Sequence, residues 1–299
     1  MEILAPKEWH PVVQILAQEK GIATLLGATD TGKSTLARFL ITRLCHQGVR
    51  IALVDADIGQ SVLGPPATIG FSVFKSDPDW EIVLSSPEIF FVGSTTPEGN
   101  FSTHLKGVKK MVDRAISCDT EVILVDTTGF VSGEGGRDLK RRKIELLSPR
   151  FILVLQRNGE LEPILESFEG NASYQIHRLP VSEHVRPRSA EERRTYRMNR
   201  FQVYFEHSGT HELEIDKVRV EGQVFDPNGE PIPLEWSLRI NGLLVGLMDD
   251  KEDTLALGLI RNYSEEKKAV RIFTPLQDIQ EVRTIQLSSQ KVIHSYLDL

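Results

Sequence analysis

The chain has 299 residues, of which 40% are hydrophobic and 26% are charged, and this composition excludes the disordered and collagen-like classes of protein. Its formal net charge of −7 weighs against a protein that coats nucleic acid through a basic surface. The length suits one large α/β domain, or a domain of about 200 residues joined to a smaller one.

The cysteines and the N-terminal residues bear on the cellular compartment. Cys45 and Cys118 show neither metal-ligand spacing nor a disulfide framework, which suits a reducing environment. The first residues lack the basic start and apolar block of a signal peptide, and no long uninterrupted apolar window follows. We therefore expect a cytoplasmic protein without a membrane span.

Strand and helix patterns alternate along the chain to about residue 180. Strands are predicted at 21–26, 50–55, 121–126, 150–156 and 174–179, and the runs 51–54, 122–125 and 151–155 are continuously apolar. Helical periodicity predicts helices at 33–47, 103–117, 136–147 and 160–168. This alternation predicts an α/β fold whose mostly parallel sheet is flanked by helices. Ligands of such sheets bind beyond the carboxyl ends of the strands.

The loop after the first predicted strand has the strongest motif in the chain. The nine residues Gly-Ala-Thr-Asp-Thr-Gly-Lys-Ser-Thr, which begin at Gly27, match the phosphate-binding pattern G-x-x-x-x-G-K-[ST]. The glycines allow a nest of backbone N–H donors at a helix start. Lys33 can reach the β- and γ-phosphates, Ser34 can bind a phosphate-bound Mg²⁺, and Thr35 can contact the α-phosphate. The predicted nucleoside-triphosphate site consists of Gly27, Thr29, Asp30, Thr31, Gly32, Lys33, Ser34 and Thr35.

Acidic residues follow two later strands. The second predicted strand ends in Asp55-Ala-Asp57-Ile-Gly-Gln60, and the third ends in Asp126-Thr-Thr-Gly129. Asp57 can bind Mg²⁺ or accept the proton of an attacking hydroxyl group, and Asp126 can hold the metal or its waters. Each can instead cap the turn that follows it. The residues alone leave open which carboxylate holds the metal.

A positively charged stretch spans residues 178–200, where seven arginines stand against three acidic residues. Part of it predicts a helix over about 189–205, which Ser189 and Glu192 begin with a capping box. The arginines of this helix are Arg193, Arg194, Arg197 and Arg200. A row of guanidinium groups suits the charge on a transferring phosphoryl group, whereas an isolated charge run is more often a solvated helix face.

The pattern changes after residue 205 to short alternating runs separated by turn sequences. Strands are predicted at 211–220, 238–247, 254–260 and 269–273, and Asn241-Gly242 is a clear turn signal. These features predict a small β-rich domain, either an antiparallel sheet or a barrel. The chain is therefore divided into a P-loop domain at 1–205, which includes the arginine helix, and a β-rich domain at 206–299.

Five blocks in one order resemble the polynucleotide 5′-hydroxyl kinase family. They are the phosphate-binding loop, the Asp55–Gln60 segment, Phe91-Val-Gly-Ser-Thr-Thr-Pro-Glu-Gly-Asn100, the Asp126–Phe130 segment and the arginine helix. This family includes the RNA kinase of the eukaryotic pre-mRNA cleavage and tRNA-splicing machinery, ribosomal-RNA-processing kinases and shorter prokaryotic relatives. The chain looks like the shorter type, and the resemblance covers about residues 9–205.

The resemblance implies a P-loop NTPase fold and transfer of the γ-phosphate of ATP, with Mg²⁺, to the 5′-hydroxyl end of RNA, DNA or both. The implied catalytic residues are Lys33, Asp57, Arg194 and Arg197. The implied metal residues are Ser34, Asp57 and Asp126, with Asp57 ranked ahead of Asp126 because some relatives have Asn at the latter position. A clasp near the nucleic-acid end is implied for Gln60, Thr95, Thr96 and Pro97.

Two other functions remain open at this point. The chain can be an adaptor that binds ATP within an RNA-processing complex without turnover, or a P-loop ATPase or GTPase switch. A small-molecule ligase of the dethiobiotin-synthase type belongs with the second alternative. The absence of an Asn-Lys-x-Asp guanine signature after the later strands disfavours GTP. The C-terminal domain is a candidate surface for a protein partner.

Overall fold

A computed structural model describes residues 4–76, 88–226 and 228–292 of the protein. The chain forms two compact units. The first contains residues up to Gly64, Ile69–Glu88 and Thr96–Arg193, and the second contains Pro65–Thr68, Ile89–Thr95 and the chain from Arg194 onwards. One continuous helix runs through residues 190–205, and the domain boundary predicted at residue 205 stays a prediction.

The first part of the chain alternates between strands and helices. The strands are β1 (Gly21–Gly27), β2 (Ile51–Ala56), β3 (Thr68–Phe74), β4 (Glu88–Phe91), β5 (Val122–Thr127), β6 (Phe151–Leu155) and β7 (Gln175–Leu179). The helices are α1 (His10–Glu19), α2 (Lys33–Cys45), α3 (Phe101–Ser117), α4 (Gly133–Leu147), α5 (Glu162–Leu165) and α6 (Ala190–Phe205), and a 3₁₀ turn covers Lys7–Trp9. None of the helices in the described part of the chain is long and apolar enough to span a bilayer.

These strands form one sheet with the order β4-β3-β2-β5-β1-β6-β7. Five neighbouring strands, from β2 to β7 in that order, run parallel, whereas β3 pairs with β2 in the antiparallel sense. The parallel register places Asp126 of β5 opposite Asp55 of β2 and opposite Leu25 of β1. The carboxyl ends of the three strands that precede the predicted motifs therefore lie side by side.

The central strands are buried on both faces because alternate residues belong to two separate cores. Leu25 and Leu153 pack in the core that contains α1 and α2. Leu26 and Val154, their neighbours along the same strands, pack with Ile144 of α4 in the other core. Continuous apolar runs are expected for strands covered by helices on both sides.

The rest of the chain is rich in β-structure. Its strands are β8 (Gly209–Glu214), β9 (Arg219–Glu221), β10 (Val224–Phe225), β11 (Pro231–Ile232), β12 (Leu243–Met248), β13 (Thr254–Ser264), β14 (Ala269–Thr274) and β15 (Thr284–Lys291). A 3₁₀ turn covers Ile215–Lys217, and a one-turn helix, α7, covers Leu234–Ser237. The larger sheet has the order β8-β14-β13-β12-β15-β9, antiparallel except where β9 meets β15, and β10 pairs with β11.

The predicted fold class is confirmed, with a mostly parallel sheet flanked by helices followed by a β-rich part. The predicted helix at 160–168 is only one turn long, at Glu162–Leu165. The strand predicted at 238–247 begins at Leu243, because Asn241-Gly242 forms a turn between α7 and β12 rather than between two strands. The sequence did not predict α1, β3, β4 and β15, nor the short elements β10, β11 and α7.

Gly246 of β12 gives a stability prediction for the β-rich unit. A β-carbon at this position would lie 2.8 Å from Cγ of the buried Phe91 ring, closer than packed carbon atoms approach. We expect Gly246→Ala to lower the free energy of unfolding by about 1–3 kcal/mol, measured by urea denaturation, because the core is already filled.

The matched control is Gly209→Ala in β8, where the nearest atom to the added carbon, Nε2 of His211, lies at 3.6 Å. That substitution should change the unfolding free energy by less than about 0.5 kcal/mol. Equal stabilities for the two variants would contradict the overpacking at Gly246.

Candidate active site

The phosphate-binding loop lies between β1 and α2 and is held in a curled conformation. Gly32 has a φ of 87° and Asp30 a φ of 55°, both in the left-handed region. The Thr31 hydroxyl group and the Lys33 ammonium group each donate to the carbonyl oxygen of Ala28 at 2.9 Å. The amino group of Lys33 therefore lies along the inside of the loop, at the start of helix α2. This is the position from which a lysine meets the outer phosphates of a nucleotide.

Ser34 and Asp126 connect the loop to the end of β5. The Ser34 hydroxyl group donates to Oδ2 of Asp126 at 2.7 Å. Oδ1 of Asp126 is buried and has no hydrogen-bond partner among the described residues. Burial raises the pKa of Asp126 to about 6, although the nearby Lys33 charge opposes the rise. An oriented hydroxyl group beside an unsatisfied carboxylate oxygen is an oxygen-donor set that fits Mg²⁺.

A Mg²⁺ site beside the phosphate-binding loop needs only a few ligands from the protein. Within residues 4–76, 88–226 and 228–292, no group of three or more His, Cys, Asp or Glu side chains is arranged to hold a metal ion. Mg²⁺ usually keeps several waters and is bound through one or two carboxylates together with the phosphates of the substrate. Two or three oxygen ligands from the protein are therefore sufficient.

Asp55 and Asp57 have different surroundings although they are two residues apart. The buried Asp55 carboxylate accepts hydrogen bonds from the backbone N–H groups of Asp57, Val62 and Leu63. Burial, with the charge of Asp126 second, raises the pKa of Asp55 to about 7. Asp57 is half-buried, and its Oδ1 accepts from the backbone N–H groups of the next turn at 3.0 and 3.2 Å. Asp55 thus shapes the loop, and Asp57 is the more accessible carboxylate.

Two fully buried lysines of α4 lie beneath these carboxylates. Lys140 donates to the side-chain oxygens of Thr127 and Thr128 at 2.9 and 3.1 Å. Nζ of Lys143 has no hydrogen-bond partner among the described residues. Burial lowers the pKa of Lys143 to about 7, against the opposing effect of Asp57 and Asp126. For Lys140, burial and then the charge of Lys143 hold the pKa well below its usual value.

His104 of α3 belongs to the same buried layer. Its Nε2 lies 3.0 Å from the carbonyl oxygen of Ala56, which can only accept, so Nε2 carries the proton. Burial, followed by the charges of Lys143 and Lys140, holds the pKa of His104 well below its usual value. The histidine is therefore neutral and ties α3 to the end of β2, one residue before Asp57.

The loop after β5 touches the phosphate-binding loop directly. A β-carbon added to Gly129 would lie 2.6 Å from the backbone nitrogen of Thr29, which leaves space for hydrogen only. The Thr127 hydroxyl group donates to the carbonyl oxygen of Leu25 at 2.7 Å. Because Lys140 holds Thr127 and Thr128, this part of α4 also fixes the backbone that supports the phosphate-binding loop.

The remaining predicted residues lie on three segments. Arg194 is exposed and Arg197 half-buried, both on α6 within the second unit. Thr95 also belongs to the second unit, whereas Thr96 is exposed and Pro97 buried in the first. Gln60 lies at the turn that follows Asp57. The roles of these residues stay predictions.

The arginine helix begins as the sequence predicted. The backbone N–H of Glu192 donates to the Ser189 hydroxyl group at 3.0 Å, and the backbone N–H of Ser189 donates to the Glu192 carboxylate at 2.7 Å. This reciprocal pair is the predicted capping box.

The sequence did not predict the buried layer of Lys140, Lys143 and His104. One signal was present, because Lys140 and Lys143 occupy positions that face the core in a helix whose other inward residues are Leu139, Ile144 and Leu147. A lysine at such a position is rare unless it is paired or functional. The helical periodicity of α4 therefore indicates that these two lysines are buried, which a count of charged residues does not show.

Comparison with known proteins gives one family. The family model described as mRNA cleavage and polyadenylation factor CLP1 P-loop matches residues 27–207. The chain is 31% identical to a polyribonucleotide 5′-hydroxyl-kinase of Methanocaldococcus jannaschii, over 90% of this chain and 86% of that protein. It is 30% identical to a protein of the same description from Pyrococcus abyssi, with the same two coverages.

Among solved structures, the chain is similar to Clp1p in a wild-type Clp1p–Pcf11p complex. The TM-score is 0.74, with 15% sequence identity, over 94% of this chain and 77% of that one. At this identity the similarity concerns the fold.

Lys143 gives a prediction about the pH dependence of stability. Burial lowers the pKa of its ammonium group from the usual 10.5 to about 7 in the folded state. Below pH 7 both states hold the proton, and the folded state bears the full cost of the buried charge. Between pH 7 and 10 the unfolded state holds more protons, so this contribution to the unfolding free energy rises with pH.

We therefore expect Lys143→Met to be more stable than the natural protein at pH 6.5, and the difference to narrow at pH 8.5 by up to about 1.4 kcal/mol per pH unit. Urea denaturation at the two pH values measures this. The control is Lys109→Met on α3, since the Lys109 ammonium group is exposed and paired with Asp113. If the unfolding free energies of Lys143→Met and the natural protein differ by the same amount at both pH values, the lowered pKa of Lys143 is contradicted.

Proposed function

The chain belongs to the CLP1 P-loop family, and we propose on this basis that it is an ATP-dependent polynucleotide 5′-hydroxyl kinase. One observation carries the proposal, namely that about 30% identity extends over 90% of the chain to proteins described as polyribonucleotide 5′-hydroxyl-kinases. The family expected from the five sequence blocks is confirmed. The proposed reaction moves the γ-phosphoryl group of ATP onto a 5′-hydroxyl oxygen and leaves ADP.

Phosphoryl transfer requires alignment and neutralisation of charge on the transferring group. Lys33 supplies a positive charge from inside the phosphate-binding loop, next to the helix start that binds the other phosphates. Mg²⁺, when bound, neutralises phosphate charge, and the residues that would hold it are Ser34 and Asp126, with Asp57 as the further candidate. Thr35, exposed at the start of α2, is suited to the α-phosphate.

Asp57 is the proposed partner of the attacking hydroxyl group. It can accept a hydrogen bond from the 5′-hydroxyl group and orient the oxygen toward the γ-phosphorus. Asp55 is less suited to this role, because three backbone N–H groups already occupy its carboxylate. Asp57 receives only the N–H groups of the turn that presents it.

We assign to Arg194 and Arg197 the stabilisation of the negative charge that develops on the transferring phosphoryl group. We assign the binding of the nucleic-acid end to a clasp made of Gln60, Thr95, Thr96 and Pro97. Guanidinium groups pair well with the equatorial oxygens of a transferring phosphoryl group. These assignments rest on the sequence blocks, and the helical spacing of Arg194 and Arg197 places them on one side of α6.

RNA is the first candidate substrate, because the relatives are described as polyribonucleotide kinases. DNA with a 5′-hydroxyl end remains a second candidate. A cytoplasmic location and a protein partner bound through the β-rich domain are further proposals. The related Clp1p is seen in complex with Pcf11p, which supports the idea that members of this fold bind protein partners.

The function is tested with γ-labelled ATP, Mg²⁺ and 5′-hydroxyl oligonucleotides of RNA and DNA. We expect label on the oligonucleotide and none on an oligonucleotide that already has a 5′-phosphate. Asp57→Asn should retain ATP binding and lose transfer, since the side chain keeps its shape but accepts the hydroxyl proton poorly. ATP bound without turnover would indicate the adaptor instead, and free labelled phosphate alone would indicate the ATPase switch.

Arg197 gives a second kinetic prediction. Arg197→Ala should lower kcat on the order of 10³-fold, the scale of an arginine that stabilises this kind of transition state, and change the Kd for ATP by less than about threefold. Arg197→Lys should retain part of the activity because it keeps the charge but not the paired hydrogen bonds. Equal losses of ATP binding and turnover would rule out the assigned role of Arg197.

A further inference from the structure

The side chain of Asp30 binds the segment that leads into the arginine helix. Its Oδ2 accepts from Nη2 of Arg193 at 2.6 Å and from the backbone N–H of Arg188 at 3.0 Å. The carboxylate side chain is only 12% exposed. Its acceptor positions are therefore already directed at two arginine residues of one segment.

Gln60 binds the same two residues from the other loop. Its Oε1 accepts from Nη1 of Arg188 at 3.3 Å, and its Nε2 donates to the backbone carbonyl of Arg193 at 3.4 Å. Gln60 follows the turn that Asp57 forms with its own carboxylate. Segment 188–193 is consequently held at two points, once by the loop that carries Lys33 and once by the turn that carries Asp57.

A third arginine fixes the backbone at Asp30 itself. Nη2 of Arg157, which follows β6, donates to the Asp30 carbonyl oxygen at 2.6 Å. The left-handed φ of 55° at Asp30, a conformation that Asp tolerates better than most residues, turns the side chain toward segment 188–193. A carboxylate beside a polyphosphate site repels the ligand, whereas one already paired with a guanidinium group does so much less.

From these contacts we propose that Asp30, Gln60 and Arg193 are positioning residues that brace the phosphate-binding loop against the Asp57 turn through segment 188–193. The inference rests on the proposed kinase function. The brace holds the γ-phosphate donor and the hydroxyl-orienting carboxylate at one fixed separation. Errors of about 1 Å in such alignment can cost two orders of magnitude in rate.

The brace makes kinetic predictions that a contact serving only stability does not make. Asp30→Asn keeps the shape and tolerates the left-handed backbone but loses the charge, and Arg193→Gln loses the guanidinium group. Each should lower kcat roughly tenfold. The Kd for ATP should stay within about threefold of that of the natural protein, or fall below it for Asp30→Asn. Because both changes break one interaction, the double variant should be no slower than about twice the slower single variant.

Arg186→Gln is the matched control, since Arg186 lies beside the same segment and pairs with Glu192 instead of Asp30. It should change kcat less than about twofold. Losses that multiply in the double variant, or a loss of ATP affinity in Asp30→Asn as large as its loss of kcat, would overturn the proposal.

A readout without catalysis separates this proposal from the proposed function. Tryptic cleavage after Arg188 and Arg194, followed by mass spectrometry under native conditions, should be at least about threefold faster in Asp30→Asn and Gln60→Ala than in the natural protein and in Arg186→Gln. Unchanged cleavage would show that segment 188–193 does not depend on these contacts, and would overturn the brace even if the chain is a kinase. Faster cleavage without any label transfer would retain the brace and refute the kinase.

Discussion

The hydrogen bond between Ser34 and Asp126 is the interaction on which the geometry of the site depends. It joins the first turn of the phosphate-binding helix to the end of the central strand β5. Asp126 is in register with Leu25, which belongs to the strand that precedes the loop. Both ends of the loop are thus tied to neighbouring strands, and the curled backbone between them has little freedom to open. Lys33 is held in position because the loop that carries it is fixed at both ends.

The charges around this bond act as one group. Asp57 and Asp126 interact electrostatically with the buried Lys140 and Lys143, and Asp55 interacts with both of these carboxylates. Buried charges are costly unless they are compensated, and Lys143, whose Nζ has no hydrogen-bond partner among the described residues, bears this cost while it is protonated. While they are protonated, the lysines of α4 offset part of the negative charge of Asp57 and Asp126. Part of the electrostatics of the site therefore comes from fully buried side chains.

The parts of the structure that the sequence predicted are encoded in contiguous residues. The phosphate-binding loop, the strands before Asp57 and Asp126, and the capping box of Ser189 each depend on neighbours within a few positions. Strand β3 was not predicted, because its place at the antiparallel side of β2 follows from tertiary pairing rather than from a local pattern. The same holds for β15, whose alternating polar residues are stabilised by strands on both sides.

Within the site, the sequence identified chemical groups but not their partners. The sequence predicted Asp30 as a residue of the nucleotide site. The motif indicates that the loop binds phosphate, but it does not indicate the direction of each side chain. The pairing of Asp30 with Arg193 spans more than 160 residues and depends on how the chain returns after β7. The function of Asp55 was equally hidden, because three backbone donors converge on it only after the loop has folded.

Gly129 affects the site through its small size. The residue contributes no functional group, and its importance lies in the volume that it leaves empty beside Thr29. The loop with the phosphate-binding motif and the loop that follows Asp126 can approach to backbone contact only because this volume is free. The sequence Thr-Thr-Gly thus specifies a distance between loops as well as a set of donors. Any larger residue would widen that distance and alter the spacing of every group attached to either loop.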